Sequence, residues 1–416
     1  MRTLQGQAAD AFVTTLENRG SRFDDIEPAV RKIVDDVRRN GDAALLKYAH
    51  QFDGLDSERP VRVRESEMKA AWKQAPAQLK TALQKAAINI RQFCEWQKPK
   101  AWTKSRGSFS LGQLIRPLDS VGCYVPGGRF PLVSTLLMTV IPAQVAGVKN
   151  IRVLSPRPSS EVLAAAAMLG VEEFYRIGGA QAIAALAYGT EAIPRVSKIV
   201  GPGNLYVTAA KKLVAFECSI DMLAGPTEVV IVSTRGNPAF IAADLIAQAE
   251  HDPETLAVFI TTSRKMARAV EDQLQRAGRD ESEIAQQSLG TRGAILIADS
   301  RQQAFEWANR IAPEHITIDN DKKNLAFVRN AGSIFIGDYS AQAAGDYASG
   351  PSHVLPTAGA ARFRGGLSVM DFVKVISVQE LSFTGLRKLS PTIVRLAETE
   401  GLRAHTESIR VRCPGA

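Results

Sequence analysis

The chain has 416 residues, of which 45% are hydrophobic and 23% charged, and its formal net charge is +8. This length predicts two or more hydrophobic cores, and no apolar run is long enough to span a bilayer, which argues against a helical membrane protein. Lysine and arginine are scattered among acidic residues without the interleaved aromatic side chains that stack bases, so the positive charge does not indicate a nucleic-acid partner.

The first part of the chain is predicted to be helical. Residues 1–20 form an N-terminal arm that begins MRTLQGQAADAF and has no basic or apolar signal segment, so a cytoplasmic location is expected. From about residue 25 to 100 the apolar residues recur with helical spacing, as in MKAAWKQAPAQLKTALQKAAINIRQF. Polar breaks such as FDGLDSERP separate the predicted helices.

From residue 121 onward, short apolar runs alternate with helical stretches. One set comprises the runs VGCYV, IRVLS, EEFYRIG and SKIVG, and a second comprises TEVVIVST, LAVFITT, GAILIAD, HITID and GSIFIG. Strands separated by helices of this length predict parallel sheets covered on both faces. We therefore predict an α/β fold with two Rossmann-like lobes and a boundary near residue 227.

One discontinuous lobe, one continuous lobe and a tail follow from this pattern. The first lobe is predicted to comprise residues 21–120 and 228–366, and the second residues 121–227. From residue 367 to 416 the chain is predicted to form a small helical tail, with helices around VQELSFTGLRKL and PTIVRLAETEGLRAH joined by a helix-stopping proline. Such a tail is too small for a core of its own, so we expect it to pack on another lobe or on a second subunit.

The segment LIAQAEHDPE contains a pair that could bind a metal ion. Gln248 and His251 are three residues apart, so on a helix their side chains would share one face. A histidine that merely caps the helix end is the alternative. The four cysteines are far apart and form no CxxC pair, so any metal site must use nitrogen and oxygen ligands.

Three further polar groups are candidates for chemistry. Glu314 and His315 precede a predicted strand and could serve one site if the backbone turns at Pro313, with the histidine as a base and the glutamate activating water. A histidine that only begins a strand explains the sequence equally well. Asp346 is predicted to lie in a loop rich in glycine and alanine. There its carboxylate could be a hard ligand for a metal ion, or it could only stabilise a turn. A structural hydrogen bond is the preferred role for His353.

Two glycine-rich turns, in YVPGGRFP and IVGPGNLYV, join a predicted strand to a helix. Backbone amides at such turns can hold a phosphate. Neither turn has the G-x-G-x-x-G pattern of dinucleotide-binding folds. The residues alone therefore indicate an α/β enzyme that could bind a nucleotide, and no more.

Taken in chain order, a series of long motifs resembles the histidinol dehydrogenase family from about residue 30 onward. The motifs are SVGCYVPGGR, VAGVKNI, IGGAQAIAALAYGT, KIVGPGN, SIDMLAGPTEV, AADLIAQAEHDP, APEHI, GDYASGPSHVLPT and the AH at 404–405. The resemblance implies NAD-dependent oxidation of L-histidinol to L-histidine through an aldehyde, as the last steps of histidine biosynthesis. It also implies an intertwined homodimer in which the tail of one subunit reaches the active site of the other.

The same resemblance implies roles for individual residues. Zinc would be bound by Gln248, His251, Asp346 and His405, which would also contact the substrate together with His315, Thr227 and Glu400. His315 would be the general base, and Glu314 would activate the water that hydrates the aldehyde. Tyr124, Gln181 and Asn204 match positions that contact NAD, which places the cofactor in the lobe of residues 121–227.

Some residues depart from the common family pattern. Thr227 and Ser352 stand where serine and asparagine are usual, and the segment 130–139 also differs. These changes leave open a related zinc- and NAD-dependent dehydrogenase of another polar alcohol, such as a sulfonated diol. A binding protein without turnover is a second alternative, which the presence of both Glu314 and His315 disfavours.

Overall fold

The computed structural model describes residues 1–20, 25–56, 59–127, 131–277 and 282–414. The chain divides into two compact units. The first unit comprises Met1–Gln97 and Asp119–Phe372, and the second comprises Lys98–Leu118 and Val373–Ala416.

The helices and strands succeed one another along both units. In chain order they are β1 (Arg2–Gln5), α1 (Gly6–Glu17), α2 (Glu27–Tyr48), α3 (Glu65–Gln74), α4 (Ala77–Gln97), β2 (Trp102–Arg106), β3 (Phe109–Pro117), β4 (Ser120–Tyr124), α5 (Val133–Ala146), β5 (Asn150–Leu154), α6 (Ser160–Met168), β6 (Glu173–Tyr175), α7 (Gly179–Tyr188), β7 (Lys198–Val200), α8 (Leu205–Val214), β8 (Ser219–Ile220), β9 (Glu228–Val232), α9 (Pro238–Ala249), β10 (Leu256–Thr261), α10 (Arg264–Ala277), α11 (Glu283–Thr291), β11 (Ala294–Ile297), α12 (Arg301–Ile311), β12 (His315–Ile318), β13 (Ser333–Ile336), α13 (Gln342–Tyr347), β14 (Val373–Leu381), α14 (Phe383–Thr399) and α15 (Arg403–Arg410). All nine strand-forming runs predicted from the alternating pattern are strands in the structure.

Two parallel sheets organise the first unit. The five-stranded sheet has the order β6-β5-β4-β7-β8, and the six-stranded sheet has the order β1-β11-β10-β9-β12-β13. All pairings in both sheets are parallel. Apart from β1, each sheet follows the third-second-first-fourth-fifth strand order of a Rossmann-type half. The predicted α/β fold with two Rossmann-like sheets is thereby confirmed.

The central strands of the six-stranded sheet are apolar because helices cover both faces. Every residue of β9 and of β10 is buried. On one face these strands pack with α1 and α12, and on the other with α9 and α10. A strand covered on both sides requires a continuous apolar run rather than an alternating one, which is why EVVIV and LAVFIT form the centre of the sheet.

The second unit contains a sheet that the sequence analysis did not predict. Strand β3 pairs antiparallel with β2 and, over nine residues, with β14. The predicted helix around VQELSFTGLRKL is therefore wrong in its first part, because VQEL belongs to β14. Nine consecutive pairings with β3 outweigh the weak local helical preference of this segment.

The predicted break at Pro391 is also wrong. Helix α14 continues through this proline, which lies in its interior. A proline cannot donate to the carbonyl group four residues earlier. The hydroxyl of Ser390 donates instead to the carbonyl oxygen of Arg387 at 2.9 Å, so this group is not left without a partner.

The lobe boundaries predicted from the sequence stay a prediction. Within the described part of the chain, no helix combines the length and the apolar character needed to cross a bilayer.

The packing of α9 on the six-stranded sheet can be tested through Asp244, which lies on this helix. Burial raises the pKa of its carboxyl group from 3.8 to about 6. The charged carboxylate therefore lowers the free energy of unfolding above about pH 6, and this cost largely disappears below about pH 4. We expect Asp244→Asn to raise the urea midpoint at about pH 8 and to leave it nearly unchanged at about pH 4. An equal rise at both pH values would contradict the electrostatic explanation.

Candidate active site

A cluster of polar side chains lies at the amino edge of the six-stranded sheet. Strand β12 pairs with β9 so that His315 lies opposite Val229. This register brings Glu314, which precedes β12, beside Glu228, the first residue of β9. Helices α9 and α13 run back from the carboxyl edge, and their last residues return to the same amino edge.

Glu314 is buried at the centre of this cluster, with 7% of its surface exposed. Its Oε2 atom accepts a hydrogen bond from the backbone N–H of Glu228 at 3.0 Å and another from the hydroxyl of Thr227. Burial raises the pKa of the Glu314 carboxyl group to about 7, although His315 and these hydrogen bonds favour the ionised form. This pKa suits a group that exchanges protons near neutral pH.

His315 is 2% exposed and lies between two carboxylates. Its Nδ1 is 3.6 Å from Glu314 Oε2, and its Nε2 is 3.6 Å from Asp346 Oδ1. Burial alone would lower the pKa of His315, but Glu314 and Asp346 raise it to about 9. Nδ1 also lies 3.2 Å from the carbonyl oxygen of Glu228, which can only accept, so Nδ1 is the donor. In the neutral ring, Nε2 then carries the lone pair.

Ala312 ends α12 in the left-handed conformation, with φ +50°, so the chain turns before β12 begins. This turn lies before both Glu314 and His315. Their side chains nevertheless meet, since His315 Nδ1 is 3.6 Å from Glu314 Oε2.

Thr227 links Glu314 to helix α9. The side-chain amide of Gln248 donates from Nε2 to the hydroxyl of Thr227, which itself donates to Glu314. Gln248 is 3% exposed, so its amide plane is fixed by this bond. Its Oε1 atom is the acceptor that remains for a ligand.

Asp346 borders a cavity of about 410 Å³. Burial raises the pKa of its carboxyl group, but His315, His353 and His251 lower it more, so Asp346 is ionised. His315, Phe335 and His353 also line the cavity, whose volume is within the range of sites for small ligands.

His353 stabilises the wall of this cavity by hydrogen bonds. One ring nitrogen, Nδ1, is 2.8 Å from the carbonyl oxygen of Asp346, and Nε2 is 3.3 Å from the hydroxyl of Thr135. These hydrogen bonds agree with the structural role expected for His353.

His251 lies outside helix α9, although the sequence analysis placed it on the same helical face as Gln248. The helix ends at Ala249, and His251 follows as an exposed residue whose backbone N–H donates to the carbonyl oxygen of Gln248 at 3.3 Å. A turn, rather than a helix, therefore brings the two together. His251 is near enough to Asp346 to lower the pKa of that carboxyl group.

The predicted ligands in the first unit fit a metal ion of borderline hardness. His251 offers an imidazole, and Asp346, which borders the cavity, offers an ionised carboxylate; both are ligand types that zinc accepts. Gln248 adds a neutral amide oxygen. Among the described residues, no three His, Cys, Asp or Glu side chains together form a metal-holding group. Of the four predicted zinc ligands, only His251 and Asp346 are side chains of this kind in the first unit, because Gln248 is an amide.

Glu400 and His405 belong to the second unit. Glu400 caps the carboxyl end of α14, and His405 lies in α15. Both are exposed.

The three predicted NAD contacts lie at the carboxyl edge of the five-stranded sheet. Tyr124 ends β4, Gln181 is in the first turn of α7 after β6, and Asn204 caps α8 after β7. Strands β4 and β7 are the pair at which the strand order reverses, where open α/β sheets form a ligand crevice. Tyr124 and Gln181 are almost fully buried, whereas Asn204 is exposed.

Buried ionic groups that the sequence analysis missed fix this edge. Asp53 accepts hydrogen bonds from the backbone N–H of Gly178 at 3.0 Å and from Gln181 Nε2 at 3.1 Å. Gly201 has φ +113°, and a Cβ atom there would lie 2.1 Å from the carbonyl oxygen of Tyr124. The carbonyl oxygen of Gly201 accepts a hydrogen bond from Lys211 Nζ at 2.9 Å, and the N–H of Gly201 donates to Asp221 at 2.7 Å.

The sequence analysis also missed Glu228, which contacts both Glu314 and His315 through its backbone. A signal was present, because Glu228 is the one charged residue in the buried strand EVVIV. Charged side chains are rarely fully buried unless they are paired, so a buried partner could have been expected.

The chain is similar to one family of known proteins over most of its length. The family model described as histidinol dehydrogenase matches residues 16–413. A histidinol dehydrogenase of Methanothermobacter thermautotrophicus is 46% identical over 401 residues, which cover 94% of each chain. Another, of Methanosarcina mazei, is 44% identical over 416 residues, covering 97% of this chain and 96% of the relative. The crystal structure of histidinol dehydrogenase from Elizabethkingia anophelis matches with a TM-score of 0.94 at 34% identity, covering 99% of this chain and 98% of that one.

The hydroxyl of Thr227 yields a test of the buried hydrogen bonds. Thr227→Val keeps the shape of the side chain but removes the acceptor of Gln248 Nε2 and one of the two donors to Glu314, so we expect a loss of about 1–3 kcal/mol in the free energy of unfolding. Thr227→Ser keeps the hydroxyl and should lose much less. Urea unfolding of protein treated with a chelator measures both variants. Equal losses would contradict the hydrogen bonds described for Thr227.

Proposed function

We propose a substrate site and residue roles for this chain, which belongs to the histidinol dehydrogenase family. Membership makes it an oxidoreductase that oxidises L-histidinol with NAD in histidine biosynthesis. The family relatives do not support another polar alcohol as the substrate. The observation that carries the residue assignment is the convergence of Thr227, Gln248, Glu314, His315 and Asp346 at one edge of the six-stranded sheet.

We infer that L-histidinol occupies the cavity beside His315 and Asp346. The cavity walls combine apolar surface, including Phe335, with a few fixed polar groups. Such a combination orients a small polar molecule while excluding much of the surrounding water. Histidinol carries an amine, an imidazole and a hydroxyl group, and the charged and polar groups on the wall suit all three.

Gln248, His251 and Asp346 are proposed to hold zinc, with His405 from the tail of a second subunit as a further ligand. These nitrogen and oxygen donors match the ligand chemistry of zinc. When bound, the ion would fix and polarise the amine and imidazole of the substrate. Thr227 supports this set, since its bond to Gln248 Nε2 leaves the amide oxygen as the ligand atom.

His315 is proposed as the general base. The bond from Nδ1 to the carbonyl oxygen of Glu228 fixes the ring and its tautomer, so in the neutral ring Nε2 is the atom that takes the hydroxyl proton of the alcohol. Glu314 and Asp346 raise the pKa of this ring to about 9, and a cation bound at Asp346 would lower it again and favour the neutral base. Nε2 is on the side of Asp346, which borders the cavity. The nitrogen that takes the proton therefore faces the proposed substrate site.

Glu314 is proposed to activate water at the aldehyde stage. Its raised pKa lets it accept a proton from water near neutral pH, and its bonds to Thr227 and Glu228 hold the carboxylate in one orientation. Hydration of the aldehyde gives a diol that can be oxidised in a second step, so the same site would serve a four-electron oxidation.

NAD, which accepts the hydride, is proposed to bind at the carboxyl edge of the five-stranded sheet. Asn204 is exposed there, and the peptide groups of Gly178 and Gly201 are held by buried carboxylates. Tyr124 and Gln181 are nearly buried, so we propose that they shape the crevice wall and touch the cofactor only by their edges.

A homodimer and a cytoplasmic location complete the proposal. The tail that contains Glu400 and His405 is proposed to complete the active site of a second subunit, with Glu400 contacting the substrate. A role in amino-acid biosynthesis suits the cytoplasm. L-histidinol is the small-molecule partner.

Paired variants separate the base from the metal ligands. We expect His315→Asn to lower kcat roughly a hundredfold or more while the zinc content stays near that of the wild type. We expect His251→Ala to lose zinc. The zinc content is measured by atomic absorption after dialysis, beside NADH formation. Equal loss of zinc in both variants would overturn these assignments.

The reaction itself is tested by following the absorbance of NADH. Purified, zinc-loaded protein is mixed with NAD and a limiting amount of L-histidinol, and histidine is quantified separately. About two NADH per histidine are expected, because conversion of an alcohol to a carboxylate removes four electrons. Release of one NADH per substrate, with an aldehyde as the product, would contradict the role of Glu314.

A further inference from the structure

The backbone of Glu228 contacts both proposed proton-transfer groups. Its N–H donates to Glu314 Oε2 at 3.0 Å, and its carbonyl oxygen accepts from His315 Nδ1 at 3.2 Å. The orientation of these two peptide groups therefore sets the orientation of both side chains. The proposed reaction assigns no role to the carboxylate of Glu228 itself, which is also buried.

The carboxylate of Glu228 is held from a distant part of the chain. Arg19, two residues beyond the end of α1, donates from Nε to Oε1 at 2.8 Å and from its terminal nitrogen to Oε2 at 2.7 Å. Oε1 also accepts the backbone N–H of Ala358 at 3.0 Å. A two-point arginine–carboxylate contact fixes both distance and angle.

The guanidinium group is itself anchored. A further nitrogen of Arg19 donates to the carbonyl oxygen of Leu16 at 2.5 Å, and the Arg19 side chain is largely buried. The connection thus runs without a gap from the end of α1, through Arg19 and Glu228, to Glu314 and His315.

We infer that Arg19 is a positioning residue for the proposed oxidation. By pinning the Glu228 side chain, it holds the peptide groups on either side of the Glu228 Cα atom in the orientation that aligns Glu314 and His315. This inference rests on the proton-transfer roles proposed for those two residues. Displacement of catalytic groups by about 1 Å can slow a reaction about a hundredfold, so loss of Arg19 acts on kcat without touching substrate or metal.

The alternative is that Arg19 only attaches α1 to the sheet. Arg310, on α12, provides a matched control because it attaches the same helix. It donates to Asp10 at 2.7 Å, to Glu17 at 2.9 Å and to Thr14 at 2.7 Å. These three contacts are to α1 and do not involve Glu228.

The test compares Arg19→Met with Arg310→Met in the zinc-loaded, full-length protein. For each variant, kcat, KM for L-histidinol, KM for NAD, zinc content and Tm are measured, with assays well below the lower Tm. We expect Arg19→Met to lower kcat roughly tenfold to a hundredfold, with both KM values and the zinc content within about twofold of the wild type. Arg310→Met should lower Tm while keeping kcat within about twofold.

Arg19→Met leaves the Glu228 carboxylate buried without its partner and could fail to fold. The double variant Arg19→Met/Glu228→Gln removes that charge and serves as the second test. In it, kcat must also fall at least about tenfold.

Wild-type kcat in a folded Arg19 variant, or equal losses of kcat in the Arg19 and Arg310 variants, would overturn the inference. An inactive wild-type protein would instead contradict the proposed function, so the two failures are distinguishable.

Discussion

The candidate active site depends on the parallel pairing of β9 with β12. Both strands are in the apolar interior of a sheet that is covered on both faces, so their register cannot shift without exposing buried side chains. That register places Glu314 beside Glu228 and His315 opposite Val229. A carboxylate buried at this point needs donors, and the start of β9 supplies two of them, from Thr227 and Glu228. The stability of the sheet and the geometry of the site are therefore set by the same contacts.

The two sheets share one strand order but present their polar groups at opposite edges. In the five-stranded sheet, the predicted cofactor residues follow the carboxyl ends of the strands, where the reversal of strand order opens a crevice. In the six-stranded sheet, Glu314 and His315 stand at the amino ends. There the end of α9 and the end of α13 contribute Gln248 and Asp346. Burial raises the pKa of Glu314 at this edge to about 7, and the carboxyl edge of the other sheet is held by the buried Lys211–Asp221 ion pair and by glycine conformation.

The sequence predicted the α/β fold and its nine principal strands because each of those strands is a continuous apolar run between helices. It did not predict β14, whose formation depends on nine pairings with β3, a segment more than 250 positions earlier. At the site, the long motifs identified the family and the polar residues. Arg19, Asp53 and Lys211 were not predicted, because each acts through a partner distant in sequence or in a different element. The position of His251 beyond the end of α9 likewise depends on where the helix stops, which the spacing of Gln248 and His251 does not reveal.

The central claim is that the amino edge of the six-stranded sheet holds the metal and the substrate. It is tested most directly by a crystal structure of the zinc-loaded protein with L-histidinol, using diffraction data on both sides of the zinc absorption edge. One strong anomalous peak is expected beside Gln248 Oε1, an imidazole nitrogen of His251 and a carboxylate oxygen of Asp346, with His405 of a second subunit as a further ligand. Histidinol density should lie against His315. Zinc bound away from Gln248, His251 and Asp346, or histidinol bound away from His315, would rule out this location of the site.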